Sequence, residues 1–494
     1  MTKKILLISQ LILLLMFSCN YKEKRTDYNE INISGKVKDF NGQNAELYLI
    51  YSQPGTKRYN EPLKIDSAGN FKFKLKSKIP LDAFILDKKS FANINFIYHP
   101  EDSIYLEFSP NKNNLDLLKT VRFKGDRQET NNLLIDFQIL REENNLGYGA
   151  IQESSYNKDV NSFILEMDSI KLKQSELINQ FKSNNRLNAE TESWITSFAY
   201  ETYYYFLNDY GVGKKDLPSN YYDFNNDLSV MSASNMVSWR NLSERINSYS
   251  LNTVSPAIHN EFSGIMGDMI DGEMNADSLV IGYIRENTTN DLLAQLLISH
   301  HYTSQFNENV VDGYENNQDL ITETIKLSSI KDNLNKYYEE TSAFVNKPGV
   351  YTNEVLLKMN DTPIEETFSE ILSKNEGKVI YLDVWATWCS PCIKAMPDSK
   401  KLMGKFKDKD VSFVYLCIES KEDLWKRLVS DFNLGGGQHY LMDKNQSKFF
   451  RETMDVQGIP QYFIIDKLGN IVERGNDIHP GNKITEEKIL ARLK

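Results

Sequence analysis

Cysteine is scarce in this 494-residue chain: it occurs four times, as Cys19, Cys389, Cys392 and Cys417. Such scarcity excludes a fold stapled by a framework of disulfides, so chemistry or attachment remains as the use for these residues. The six histidines stand in no metal-ligand spacing with cysteine, and no Cys-x-x-Cys-His haem attachment sequence is present. Neither a metal nor another cofactor is therefore expected. Lys and Arg number 57 against 68 Asp and Glu, a net charge of −11. With no basic excess to neutralise phosphates, nucleic acid is not expected as a partner. Past the N-terminal segment, no stretch approaches the ~20 apolar residues that a membrane helix needs. What is plentiful is core material: hydrophobic residues make up 40% of the chain, with 27 Tyr and 25 Phe. The length exceeds what one core supports and predicts two to four domains.

The N-terminus reads as a targeting segment. Lys3 and Lys4 precede Ile5–Met16, which is apolar except for Ser9 and Gln10. This is short for a membrane span and fits a secretory signal over residues 1–18. It ends in Met16-Phe17-Ser18-Cys19, which resembles a bacterial lipobox, although Met16 and Phe17 are looser than the usual choices. The resemblance implies cleavage before Cys19 and lipidation of its thiol. The bland alternative is an ordinary cleaved signal that holds a cysteine. Residues 19–30 are then a polar, lipidated tether, and the expected location is the bacterial cell envelope, periplasm-facing or at the outer membrane.

Residues 31–125 follow a period of two. Ile31, Ile33 and Val37 alternate with polar residues, as do Ala45 to Tyr51 and Phe71, Phe73 and Leu75; Ile94–Tyr98 and Ile104–Phe108 add further runs. Asn41-Gly42 and Ala68-Gly69-Asn70 supply turns, so an all-β domain, a small antiparallel sandwich, is expected. From 126 to about 350 the period becomes helical. Val160, Phe163, Ile164, Met167, Ile170, Leu177, Ile178 and Phe181 share one helical face. Trp194 to Tyr205, Leu292–Tyr302 and Ile321–Phe344 also read as helices. Asp223-Phe-Asn-Asn-Asp227 opens like a calcium loop but has Leu228 and Ser234 where Gly and an acid belong, which leaves a solvated loop. His300 and His301 are adjacent and point to different helix faces, so they do not form a ligand pair.

Chemistry concentrates in residues 351–494. Val379–Trp385 is an apolar run with one acid, Asp383, as in a buried central strand. It leads into Cys389-Ser390-Pro391-Cys392 and a helical segment. At a helix N-terminus, unpaired N–H groups and the dipole would stabilise a Cys389 thiolate. Cys392 lies within reach one turn on, and Pro391 fits the first turn, where its missing N–H costs nothing. A structural zinc half-site is the competing reading, and no second Cys or His pair exists to complete it. Cys417 has no partner in sequence and reads as a buried small hydrophobe.

This segment resembles the thioredoxin family, and within it the membrane-tethered TlpA/ResA-like thiol-disulfide oxidoreductases. The likeness spans roughly residues 355–494. It rests on Trp385 and Trp388 within "WATWC", Asp383 six residues before the first cysteine, Pro397 five after the second, and Ile459-Pro460 in "GIPQYFIID". Val411–Cys417 as strand, Asp423–Phe432 as helix and His439–Met442 as strand fit the branch's insertion. "DSAGNFKF" and "FIYHPEDSIYLEF" resemble the β-domain that often precedes it.

The resemblance implies a C-terminal α/β thioredoxin-like fold behind the β and helical domains. It also implies a catalytic set of Cys389, Cys392 and the buried Asp383, and a substrate-binding rim of Trp388, Ile459 and a cis Pro460. Protein disulfides would be the substrates, reduction the favoured direction, and a membrane electron donor or redox partner the source of electrons. The alternative is a lipid-anchored binding or assembly protein with a regulatory redox domain.

Overall fold

The computed structural model describes residues 29–493 apart from 43–44, 156–157, 212–213, 215, 227–232, 263–275, 348–355, 359–362 and 364–365. The signal, Cys19 and the tether up to residue 28 lie outside the described residues, as does residue 228 of the excluded calcium loop. The chain forms two compact units, one running to residue 54 and over 58–263 and 290–293, the other comprising 55–57, 264–289 and 294–494.

The first unit opens with eight strands: β1 (Asn29–Val37), β2 (Leu47–Tyr51), β3 (Tyr59–Pro62), β4 (Asn70–Ser77), β5 (Leu81–Asp87), β6 (Asn93–Tyr98), β7 (Ser103–Phe108) and β8 (Arg122–Gly125). They make two four-stranded sheets, ordered β4-β1-β7-β8 and β3-β2-β5-β6. Alternation works as the sequence implies: Ile31, Ile33 and Val37 of β1 are buried between half-buried or exposed neighbours. The antiparallel expectation needs one correction, because β1 and β7 pair in parallel. Five strands intervene between them in the chain, so no hairpin imposes the antiparallel direction. Helix α1 (Asn114–Thr120) also falls inside this region, ahead of the expected switch to helix. Tyr51 meets Phe73, and Phe96 meets Phe123, so rings of one sheet touch rings of the other.

Each sheet leaves an edge, and one helix satisfies both. On α2 (Gln128–Glu143), the Asn131 carboxamide accepts from Ile97 N at 2.9 Å and donates to Ile97 O at 3.0 Å, and Gln138 does the same at Asn95. The next residue, Asn132, treats Phe123 of β8 likewise, at 2.9 and 3.2 Å. A carboxamide offers one acceptor and two donors, so it stands in for the missing strand. Behind these sheets, α3 (Val160–Asn184) buries Phe163, Met167, Ile170, Leu177, Ile178 and Phe181, the face that its periodicity predicts. It packs in one core with α4 (Ala189–Gly211), beside which runs α5 (Trp239–Tyr249).

The second unit contains α6 (Asp291–Asn307) from residue 294 on, α7 (Gln318–Thr324) and α8 (Ser328–Val345). The run Ile321–Phe344 is helical as its pattern predicts, with an interruption at 325–327. Gln295 Oε1 accepts from both Lys326 N and Leu327 N at 2.9 Å, taking two N–H groups that a continuous helix would use. A six-stranded sheet follows: β9 (Leu356–Lys358), β10 (Val379–Trp385), β11 (Val411–Cys417), β12 (Gln438–Leu441), β13 (Gln461–Ile465) and β14 (Ile471–Arg474), ordered β14-β13-β10-β11-β12-β9. Strands β10, β11, β12 and β9 are parallel, while β13 runs antiparallel to β10. Helices α9 (Thr367–Lys374), α10 (Ser390–Lys405), α11 (Glu422–Asp431), α12 (Lys444–Thr453) and α13 (Lys483–Leu493) connect or flank these strands.

Candidate active site

Strand β10 is buried along its whole length, which its near-continuous apolar run requires. Its carboxyl end passes through Ala386-Thr387-Trp388 into α10, whose N-cap is Cys389. The Cys389 sulfur sits 3.2 Å from the Cys392 backbone N–H, one of the donors that the first helical turn leaves without an internal partner. Cys389 and Cys392 are joined by a disulfide with Cα atoms 5.3 Å apart. In this oxidised form both are buried, at 4% and 2% exposure, so neither sulfur stands out as the accessible one. Pro391 occupies the first turn of α10, and Pro397 lies inside the helix, where it has no N–H to give the carbonyl four residues back.

Asp383 is 1% exposed, and its Oδ1 has no hydrogen-bond partner. Burial alone pushes its carboxyl up to about 8. Its register neighbours are Tyr462 on β13 and Tyr415 on β11, and Tyr415 in turn faces His439 on β12. These four side chains form one polar row across a single face of the sheet. The His439 ring stacks on Tyr415 at 4.6 Å, its Nε2 lies 2.9 Å from Leu434 O, and burial drives its pKa down to about 4, so it is neutral near pH 7. Helix α10 covers this face, since Ser399 Oγ and Tyr415 OH meet at 2.8 Å. Asp383 thus lies on the sheet face covered by the helix that carries Cys392, and among the described residues no cation offsets its burial.

The peptide bond between Ile459 and Pro460 is cis. Both residues are half-buried just ahead of β13, whose start pairs with the carboxyl end of β10. Trp388 is half-buried, and its indole N–H donates to Glu419 O at 2.9 Å. Cys417 closes β11 opposite Trp385; it is fully buried, and its thiol is pushed up to about 12 by that burial. Among the described residues, no group of three His, Cys, Asp or Glu side chains is placed to hold a metal.

Sequence reasoning missed the residues that hold the Trp388 segment. Thr387 N donates to Ser420 Oγ at 2.9 Å, and Thr387 O accepts from Asn309 Nδ2 at 3.0 Å. Asn309 lies 78 residues away along the chain, and no local pattern signals such a contact.

A parallel-centred sheet with a Cys-x-x-Cys pair at the N-terminus of the helix after its central strand defines a thioredoxin-type redox domain. Residues 367–493 match the Redoxin family. The chain is 32% identical over 99 residues to the thiol-disulfide oxidoreductase ResA of Bacillus cereus, covering 20% of this chain and 55% of that protein. It is 30% identical over 118 residues to the thioredoxin-like protein YneN of Bacillus subtilis, covering 24% and 64%. The match thus spans little more than half the length of the first of these relatives. The thioredoxin domain of a thiol-disulfide oxidoreductase from Bacteroides vulgatus, known from its crystal structure, aligns at 25% identity over 24% of this chain and 84% of that one, with a TM-score of 0.22. The C-terminal domain is thus of the Redoxin type and is similar to ResA-type thiol-disulfide oxidoreductases.

Proposed function

We propose that the protein is an envelope-located, lipid-anchored thiol-disulfide oxidoreductase that reduces disulfides of exported proteins. The observation that carries this reading is the pairing of an N-capping Cys389 with Cys392, together with a buried Asp383 on the sheet face that α10 covers. In the reduced protein the Cys389 thiolate attacks one sulfur of a substrate disulfide. That S–S bond breaks, and the other substrate sulfur leaves as a thiolate and takes up a proton. Cys392 then gives up its proton, attacks Cys389 Sγ and breaks the mixed disulfide. The second substrate thiolate leaves and is protonated in turn. Two electrons pass to the substrate, and the Cys389–Cys392 disulfide is formed. Ionised Asp383 takes the proton from Cys392, and a carboxyl that titrates near neutrality suits that exchange. A membrane-borne dithiol donor restores the reduced state.

In this reading Trp388, Ile459 and Pro460 form the substrate rim, and Cys19 carries the lipid. The chain divides into signal (1–18), tether (19–30), a β-sandwich (31–125), a helical domain (126–350) and the redox domain (351–494). Among the described residues no helix is long and apolar enough to cross a membrane.

The test is single-turnover reduction of insulin by pre-reduced protein, with Cys392→Ser used to trap mixed disulfides for mass spectrometry. Insulin reduction that survives Cys389→Ser would sink the mechanism. A second reading, a binding protein regulated by its redox domain, draws on a cavity of about 610 Å³ in the first unit. It lies along α4 and α5 and is lined by Tyr200, Tyr204, Tyr205, Asn241 and Glu244. Partner capture that persists in the Cys389→Ser, Cys392→Ser double variant would favour it.

A further inference from the structure

The turn between α6 and the short helix Asp312–Asn316 reaches the loop that carries the cysteines. It meets that loop at Thr387 and the adjoining 418–421 segment at Lys421. The Asn309 amide donates to Thr387 O at 3.0 Å, two residues before Cys389. Asp312 forms an ion pair with Lys421, which adjoins the Ser420 hydroxyl that receives Thr387 N–H. Thr387 is therefore held through both its N–H and its C=O, and it is 3% exposed. Neither Asn309 nor Asp312 belongs to the Redoxin match, which begins at residue 367.

The turn is built to make this reach. Asn309 N and Val310 N bond back to Phe306 O and Gln305 O, closing the end of α6. Asn309 itself sits at φ +56°, in the left-handed region that Asn tolerates better than most residues. That geometry sends a short carboxamide, with its donor, out of the turn. Beside it Val310 is 38% exposed, an apolar side chain left in solvent at the edge of the contact. On the other side of the same loop, Trp388 is fixed through Glu419 O. Holding both flanks of the Trp388 segment fixes the shape of the surface around the disulfide.

We propose that the 307–312 turn is part of the substrate rim of the redox site, and that Asn309 is a positioning residue that favours polypeptide disulfides over small ones. The inference deepens the oxidoreductase reading and rests on it. A polypeptide must lie against the surface around Cys389 for its disulfide to reach the sulfur, whereas a small disulfide needs only the sulfur itself. The clamp therefore acts on recognition, while the nucleophile keeps its place at the N-cap of α10.

The decisive variant is Asn309→Gly, which keeps the left-handed backbone at ease and removes the donor. Pre-reduced protein is mixed with insulin or with 2-hydroxyethyl disulfide, and half-saturation and maximal rate are read separately. The expected result is a rise of about tenfold in the half-saturating insulin concentration. The maximal rate and the small-disulfide rate should each change by less than about twofold. Asp312→Ser opens the second clasp without altering the turn at position 309 and should shift the same parameter in the same direction. It decides the matter if Asn309→Gly does not fold. Equal losses on both substrates, or an unchanged insulin response in the folded variants, would overturn the inference. Wild-type protein that reduces neither disulfide would overturn the oxidoreductase reading and this inference with it.

Discussion

Asp383 lies directly across from Tyr415 in the parallel β10–β11 pair, and the Tyr415 hydroxyl meets Ser399 on the helix that carries Cys392. One hydroxyl pair therefore fixes the spacing between the sheet that holds the buried acid and the helix that holds the second cysteine. Among the described residues no cation compensates the acid, so the fold keeps it protonated well above the ordinary carboxylate range.

Asp383→Asn separates its cost from its use. Its carboxyl titrates near 3.8 when unfolded and at about 8 when folded. The folded state therefore binds the extra proton between those values, and stability falls as pH rises through that window. The variant should match wild type below about pH 4 and become more stable as pH climbs toward 8, by a few kcal/mol at most. Urea titrations at several pH values would show it. In stopped-flow work the variant should slow the release of the mixed disulfide more than the first attack. Equal slowing of both steps would leave Asp383 without a part in proton transfer.

Tyr415→Phe tests the pin between sheet and helix. It removes one buried hydroxyl pair and leaves Ser399 Oγ, in a fully buried residue, without that partner. A loss of about 1–2 kcal/mol in unfolding free energy is expected from urea melts. The far-ultraviolet spectrum should not change. A loss below about 0.5 kcal/mol would mean that Ser399 finds another partner.

The redox domain was legible because its chemistry and its fold share one short stretch. The apolar run Val379–Trp385 is β10 to the residue, and Val411–Cys417 is β11. The helix and strand that follow are each found one residue earlier than expected, the ordinary uncertainty of element ends. What escaped depended on distant partners. The split of Ile321–Phe344 is made by Gln295, the parallel β1–β7 pair by a long crossover, and the Asn309 contact by a turn outside the domain. A periodic pattern reports which face of an element is buried, and it carries no information about which remote polar group meets the backbone. The strands β3 and β5 were missed for a simpler reason. Tyr59–Pro62 is too short to show a period, and Leu81–Asp87 is buried almost throughout and does not alternate.

Cys19→Ala should release the protein from membranes. If the thiol at Cys19 carries the lipid, removing that thiol removes the anchor; among the described residues, which begin at residue 29, no helix is long and apolar enough to cross a bilayer. Cell fractionation with a salt wash would separate a lipid anchor from a surface charge effect. A variant that stays wholly in the washed membrane fraction would rule the anchor out.

In the reduced protein, Cys389 should be the first cysteine to be alkylated, and it should stay reactive below the pH at which ordinary thiols stop. Its sulfur faces the Cys392 N–H at 3.2 Å at the N-cap of α10, and both that donor and the helix dipole favour the thiolate. Cys392 lies inside the first turn and does not share the capping position. Cys417 provides an internal control, because burial raises its thiol to about 12 and keeps it unreactive across the range. Iodoacetamide labelling followed by peptide mass spectrometry would give a rate for each thiol at each pH. A depressed pKa means that labelling persists as pH falls from the free-thiol value of about 8.5 and fades only below the folded value. The Cys389 inflection is thus expected below that of an ordinary thiol. Removing Cys392 as Cys392→Ser should leave that inflection in place, because the stabilising N–H belongs to the backbone. An inflection at or above 8.5, or earlier labelling of Cys392, would reverse the roles of the two cysteines.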